Sequence, residues 1–390
     1  MSWPLVKLRD CCEVVGGATP KREVPEYWDS PDVPWVTPKD VSDLASPTLE
    51  DAPEYISVVG FKSCSTSMLP KGSVLVTSRA PIGNIAIAGR DLCTNQGFKS
   101  LIPGKSVDGL YLYYCMKHSS QRLQALGNGA TFKEVSKKIV EEFEIPLPPL
   151  LEQKRIAAIL DKADAIRRKR QQAIKLADDF LRAVFLDMFG DPVTNPKGWE
   201  VRAIDELCLE IVDCVNRTAP TVDYLTPYKM IRTTNVRNYT LDTENVRYVD
   251  EETYRSWVRR LTPEVGDIVF TREAPAGEAA VIRTNEKIFL GQRTMHFRPD
   301  HTTVSSDYLL FELMGSGVKS QINKMHAGST VTHLSVPECK KFKIRVPPIE
   351  LQKRFESIKN TVLKVQKTGV AASDTSLFES VSQKAFSGQL

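Results

Sequence analysis

Gly129-Ala130-Thr131-Phe132-Lys133-Glu134-Val135-Ser136, running on through Phe143-Glu144-Ile145-Pro146-Leu147-Pro148-Pro149-Leu150-Leu151-Glu152-Gln153-Lys154-Arg155, is answered without a gap by Gly328-Ser329-Thr330 through Phe342-Lys343-Ile344-Arg345-Val346-Pro347-Pro348-Ile349-Glu350-Leu351-Gln352-Lys353-Arg354. Ten of these 27 positions are identical, which makes the chain a duplicated unit. Working upstream, Gly72-Ser73-Val74-Leu75-Val76-Thr77 matches Gly266-Asp267-Ile268-Val269-Phe270-Thr271, Pro81-x-Gly83 matches Pro275-x-Gly277, and Trp3 pairs with Trp199. The offset drifts from 194 at Gly72/Gly266 to 196 at Gln96/Gln292 and 199 at the Pro-Pro pair, as expected where loops vary around a kept scaffold. Two copies of nearly 200 residues account for the 390 residues.

Each copy changes character at its Pro-Pro. Before it, short apolar runs such as Ser73 to Ser78 and Ile85 to Ala88 lie between turn residues and read as strands. Leu110 to Leu126 and Tyr308 to Met325 carry helical spacing, so the fold class is α+β. After it, Leu151 to Phe189 holds neither proline nor glycine. Ile156, Ile159, Ala163, Ile166, Ala173, Ala177, Phe180 and Val184 fall at the spacing of a heptad seam. A helix of that length runs on the order of 58 Å. The second copy repeats the seam with Leu351, Phe355, Ile358, Val362 and Val365, falters at Gly369 and resumes through Leu377, Phe378, Val381 and Phe386. One apolar stripe cannot bury itself, so two long helices are expected to pair antiparallel as a coiled coil, with the globular heads at opposite ends about a pseudo-two-fold axis. The boundaries read as a first head at 1–149, a central helical spacer at 150–190, a second head at 191–346 and a C-terminal helical spacer at 347–390.

Composition narrows the function classes. With 42% hydrophobic and 26% charged residues the chain has a core to bury and is not disordered overall. No stretch approaches the ~18 apolar residues of a membrane span and no signal-peptide pattern opens the chain, so a cytoplasmic protein is expected. The eight scattered cysteines read as buried thiols, and neither Cys-x2-Cys pairs nor clustered histidines suggest a metal. A net charge of +4 permits a nucleic-acid partner without arguing for one. Enzymatic motifs fail: Gly104-Lys105-Ser106 would need a glycine where Lys99 stands to be a P-loop. Asp191-Pro192-Val193 and Asn195-Pro196-Lys197 lack the second proline of an adenine methyltransferase motif. His118, His296, His301, His326 and His333 form no cluster in sequence, and the carboxylates read as solvated faces.

A variable domain closing in Gly-x-Thr, then Phe-x-Ile-x-x-Pro-Pro-x-x-x-Gln-Lys-Arg and a long helix, twice, closely resembles the DNA specificity subunit of type I restriction-modification enzymes. Trp3 to Leu8, Gly198-Trp199-Glu200-Val201, Val76 to Gly83, Asn95-Gln96-Gly97 and the terminal Ala385 to Leu390 extend the resemblance over the whole chain. It implies that each head is a target-recognition domain reading one half of a split double-stranded DNA target. The helices would set the spacing and dock two modification subunits. It further implies that S-adenosylmethionine and adenine N6 methylation belong to those subunits, that ATP and Mg belong to a restriction (translocase) subunit that adds cleavage, and that this chain holds no cofactor and catalyses nothing alone. The second copy departs at Thr271-Arg272-Glu273-Ala274-Pro275, where the arginine is shifted by one, and at Gly291-Gln292-Arg293 in place of Asn95-Gln96-Gly97.

Base edges are read by Arg, Asn and Gln, while Lys, Ser and Thr hold phosphates. Such groups on turn-rich segments are Thr37, Lys39, Ser78, Arg79, Asn95, Gln96 and Lys99 in the first copy, and Arg232, Thr233, Asn235, Arg237, Arg272, Gln292, Arg293 and His296 in the second. Each also suits a solvated loop or a turn, and roughly a third of the set is expected to touch DNA. Arg167-Arg168-Lys169-Arg170 points around its helix and reads as solvent-exposed; Tyr27, Trp28 and Trp35 read as packing. Two other readings compete: a coiled-coil scaffold whose heads bind proteins, which would lack salt-dependent DNA affinity, and a free-standing enzyme, which would bind a methyl donor.

Overall fold

In a computed structural model the described residues are 3–42, 44, 46–79, 81–128, 133–325, 333–369 and 374–390. Residues 129–132 and 326–332, with the two Gly-x-Thr motifs and His326, lie outside them, as do Ala80 and the Leu377 side chain. The chain forms two compact units, Met1–Ala173 with Val370–Leu390, and Ile174–Gly369. The cuts fall inside the helical arms rather than at 150 and 347, because each head packs part of each arm into its own core.

In the first unit a sheet orders the strands Cys12–Gly16, Lys99–Pro103, Val74–Val76, Ile85–Ala88 and Thr48–Leu49, and a second orders Glu54–Ile56, Val33–Val36 and Cys93–Thr94. The second unit repeats this with Cys208–Asp213, Thr294–Pro299, Ile268–Thr271 and Ala279–Val281, then Arg247–Tyr248, Tyr228–Ile231 and Lys287–Leu290. Registers agree: Val74 faces Leu101 where Ile268 faces Phe297. In each small sheet one pair is parallel, Val33–Val36 with Cys93–Thr94 and Tyr228–Ile231 with Lys287–Leu290.

The matched motifs have local causes. Gly72 and Gly266 sit at φ +89° and +99°, Gly83 and Gly277 at +88° and +90°, a region that favours glycine. Thr77 Oγ1 donates to Pro81 O at 2.6 Å and accepts from Asn84 N at 2.9 Å; Thr271 Oγ1 donates to Pro275 O at 2.7 Å and accepts from Glu278 N at 3.0 Å.

Head is joined to arm by the signature glutamine. Gln153, fully buried, accepts from Asp108 N at 2.8 Å and donates to Ser106 O at 3.0 Å and Pro148 O at 2.8 Å. Gln352, equally buried, accepts from Ser305 N at 2.8 Å and donates to Thr303 O at 3.1 Å and Pro347 O at 2.8 Å. Trp3 Nε1 donates to Ala385 O at 3.1 Å as Trp199 Nε1 donates to Phe189 O at 2.8 Å. The end of the chain in the first unit thus stands where the end of the long helix stands in the second.

The helical expectations are partly corrected. Leu110 to Leu126 is two helices, Gly109–His118 and Ser120–Ala125; Tyr308 to Met325 is Ser306–Met314 and Ser316–Met325, parted at extended Gly315. The long helix Leu150–Phe189 is continuous, and the second arm is helical over Ile349–Gly369 and Asp374–Ser387, with residues 370–373 outside the described residues. In the first unit Arg155 Nη2 donates to Leu390 O at 2.9 Å while Arg167 lies 5.8 Å over Phe378, so the two arms run antiparallel there. Among the described residues the stripe on the long helix is buried at its two ends and open between them. Burial occurs at Ile156, Ala157 and Leu160, then at Leu181, Phe185 and Phe189, whereas Ile166, Ile174, Leu176 and Phe180 are exposed. Each end of the helix buries what its own head covers, which overrides the heptad phase.

Arg167 and Arg168 are also not free: they pair with Asp164, 1% exposed in its side chain, at 2.8 and 3.0 Å, and Lys117 joins at 3.3 Å. Trp35 is buried, its ring edge-on to Trp28 at 5.2 Å, so both pack as expected. Of the cysteines, Cys64 and Cys208 are half-buried and the other six buried; burial pushes the Cys93 thiol up to about 12. Among the described residues no helix is long and apolar enough to cross a membrane.

Candidate nucleic-acid interface

Three backbone bonds build the same rim on both units, at the C-terminal ends of the strands that run parallel. In the first unit Asn95 N donates to Val36 O at 2.9 Å, Ser78 N to Gly97 O at 2.7 Å and Val135 N to Ser78 O at 2.9 Å. In the second, Gly291 N donates to Ile231 O at 2.7 Å, Arg272 N to Arg293 O at 2.8 Å and Leu334 N to Arg272 O at 3.1 Å. These bonds place Ser78 with Arg272, Arg79 with Glu273, Gly97 with Arg293 and Glu134 with His333. A short turn caps each rim: Thr37 N donates to Asp40 Oδ2 at 2.7 Å, and Arg232 N to Asn235 Oδ1 at 3.0 Å.

On the first rim Lys39 and Gln96 are exposed. Gln96 Oε1 accepts from Thr19 Oγ1, which ties it to the segment after the first strand of the large sheet. Arg79 has its side chain 36% exposed, with Glu134 at a loose 3.8 Å. Lys99 reaches Glu134 at 3.5 Å and Ser78 Oγ at 3.4 Å. Thr37 donates its hydroxyl to Asp40 at 2.8 Å, and Asn95 Oδ1 accepts from Gly97 N at 2.8 Å; both shape turns.

On the second rim Gln292 and Arg293 are exposed, and Gln292 Oε1 accepts from Thr218 Oγ1 at 3.2 Å, as Gln96 does from Thr19. Arg293 stands at φ +69°, which lifts its side chain to 58% exposure, and its Nε lies 3.0 Å from Glu273 Oε2. His333 Nδ1 is hydrogen-bonded to the other Glu273 oxygen. Thr233 and Arg232 are half-buried, and the Arg232 Nε is buried with no hydrogen-bond partner. The Arg272 guanidinium turns inward, donating to Leu334 O at 3.2 Å.

Four sequence assignments are corrected by burial or by bonding. Ser78 is fully buried, Asn235 is 3% exposed and His296 1% exposed, so none reaches a ligand at the surface. Asn235 donates to Asn245 O at 2.9 Å and serves the turn; His296 Nε2 lies 2.6 Å from Asp267 inside the large sheet. Arg237 spends its guanidinium on the carbonyls of Thr233, Val236 and Ala274 and fixes a loop. Glu134, Glu273 and His333 also stand on the rims, bonded or close to Arg79, Lys99 and Arg293, and are not among the sequence candidates. The signal was present, because the gapless match of residues 129–155 with 328–354 sets Glu134 against His333 while the upstream match sets Arg79 against Glu273.

The type I restriction modification DNA specificity domain matches twice, over residues 2–176 and 196–364. The chain is 29% identical over 377 residues to the type I restriction enzyme MjaIX specificity subunit of Methanocaldococcus jannaschii, covering 91% of this chain and 85% of that protein. It is 30% identical over 157 residues to the EcoR124I/EcoR124II specificity subunit of Escherichia coli, covering 39% of this chain and 38% of that one. The crystal structure of a type I restriction-modification S subunit from M. genitalium superposes with a TM-score of 0.60 at 13% identity, covering 99% of this chain and 96% of that one, a likeness of fold. With two matched domains spanning most of its length and the duplicated fold they require, the chain belongs to the type I restriction-modification DNA specificity family.

Proposed function

We propose that each unit reads one half of a bipartite double-stranded DNA target through its rim, and that the helical arms set the spacing and dock two modification subunits. Those subunits bind S-adenosylmethionine and methylate adenine at N6. A restriction subunit, with ATP and Mg, adds translocation and cleavage. The chain itself is non-catalytic and carries no cofactor. The observation that carries the reading is the pair of rims: identical backbone bonds present different polar side chains, as two readers of different sequences require. Docking is supported by Leu176 and Phe180, one helical turn apart and 61% and 52% exposed, apolar groups that a protein partner would cover. The test is to map methylated adenines in cells expressing the chain with its methyltransferase partner, and in cells lacking only this chain. A two-part motif that vanishes with the chain is expected; methylation that is unchanged would overturn the reading.

A further inference from the structure

The two rims differ in a particular way. At the position of Arg79 the second copy has Glu273, and at the position of Glu134 it has His333. A carboxylate and a donor have changed places across the same gap between the same two loops. In the first unit Glu134 faces Arg79 at 3.8 Å and Lys99 at 3.5 Å. In the second, Glu273 faces Arg293 at 3.0 Å and is hydrogen-bonded to His333. The exchange keeps an inter-loop bridge in both heads while moving the arginine fork from one loop to the other.

We propose that these are carboxylate-braced readers: Arg79 in the first unit and Arg293 in the second each read a guanine edge, and Glu134 and Glu273 are positioning residues that aim them. The inference rests on the reading of the rims as DNA-binding. Guanine presents two acceptors, O6 and N7, to the major groove, and a forked guanidinium matches both. A lone arginine on a loop would lose side-chain freedom on binding; one with a carboxylate beside it loses less, more so for Arg293 with Glu273 at 3.0 Å than for Arg79 with Glu134 at 3.8 Å. Both arginines are open enough to turn outward, with 36% and 58% of their side chains exposed. The carboxylates are less suited to direct contact with DNA, since an unbraced acid beside phosphates is repelled. Because the fork sits on different loops, the guanine it reads falls at different places in the two half-targets.

The experiment uses the full chain assembled with its methyltransferase partner and a set of duplexes carrying every single base-pair change in each half-target. Arg79→Ala is expected to relax one G·C position of one half-target by roughly 10- to 100-fold and leave the other half unchanged; Arg293→Ala does the same in the other half. Arg79→Lys keeps the charge but not the fork, so it retains salt-dependent affinity while the G·C preference falls. Glu134→Gln and Glu273→Gln relax the same positions as their arginines, with smaller effect. Unchanged thermal midpoints show that folding is intact. Uniform loss of affinity over all sequences, or no G·C position relaxed, would overturn the proposal while leaving the rims as DNA-binding surfaces. Target choice indifferent to replacement of either whole head would instead remove the reading on which it rests.

Discussion

Asp267 illustrates how a residue that looks chemical can be structural. It is 3% exposed, 2.6 Å from His296 Nε2, and accepts from Arg298 at 2.8 and 3.0 Å. Burial pushes its carboxyl up, but the hydrogen bonds from His296 and Arg298 outweigh this and hold it down at about 2. A carboxyl held below its unfolded value stabilises the fold fully above about pH 4, and that contribution fades as pH falls through about 2. The difference corresponds to about 2 kcal/mol. Urea unfolding of the second unit, followed through Trp199 and Trp257, is expected to weaken between pH 5 and 2.5 in the native chain and to change less over that range in Asp267→Asn. Equal acid sensitivity in both would show that the carboxylate carries no such linkage. The first copy has Ser73 and Ser100 at the equivalent positions, both buried, so the pair is a substitution within a kept frame rather than part of the rim.

At the scale of elements, the signature glutamines explain why the motif was legible. Gln153 and Gln352 each satisfy one N–H and two carbonyls where the chain turns from head into helix. Gln153→Ala or Gln352→Ala leaves one N–H and two carbonyls without their partner, buried at Pro148 O and Pro347 O and partly buried at Ser106 O and Thr303 O, and a loss of about 2–4 kcal/mol is expected in chemical denaturation. A loss below about 1 kcal/mol would mean that water replaces the amide. The buried ion pairs make a contrasting case. Lys359, 8% exposed, bonds Asp307, 1% exposed, between the helices Ile349–Gly369 and Ser306–Met314, where the first copy has Leu160 and Leu110. Asp307→Leu alone strands a buried ammonium and is expected to cost about 3–5 kcal/mol, whereas Asp307→Leu with Lys359→Leu restores the apolar pair of the first copy and is expected to be near neutral. Thermal melts of the single and double variants separate the two; a double variant as unstable as the single would place the stabilisation in the ion pair itself. The same comparison marks the limit of sequence reading. Periodicity located the arms and the strands, because apolar spacing is local. It misplaced the seam at Ile166 and Phe180, because which face is buried depends on the head that covers it. It likewise took Ser78, Asn235 and His296 for surface groups, since a polar residue near a turn reads the same whether its bonds go to solvent or to backbone.

At the scale of the whole chain, the two compact units show what a graft must respect if the heads read independently. The first unit closes with Ile156, Leu160 and Ala385 in one core with Tyr111 and Val140. A foreign head in place of residues 1–149 must therefore keep a tryptophan at position 3 for Ala385 O, an apolar inward face for Ile156 and Leu160, and the backbone groups that Gln153 holds. A homologous head carrying the same Pro-Pro junction meets those needs, since both copies of this chain already meet them with different interiors. With the folding interface preserved, the exchange replaces only the first rim. The methylated motif is expected to change in one half and to keep its other half and its spacing, read by mapping methylated adenines in cells that express the hybrid with the unaltered methyltransferase partner. A change in both halves would mean that the second rim depends on the first head. A changed spacing with both halves intact would place the ruler in the head rather than in the helical arms.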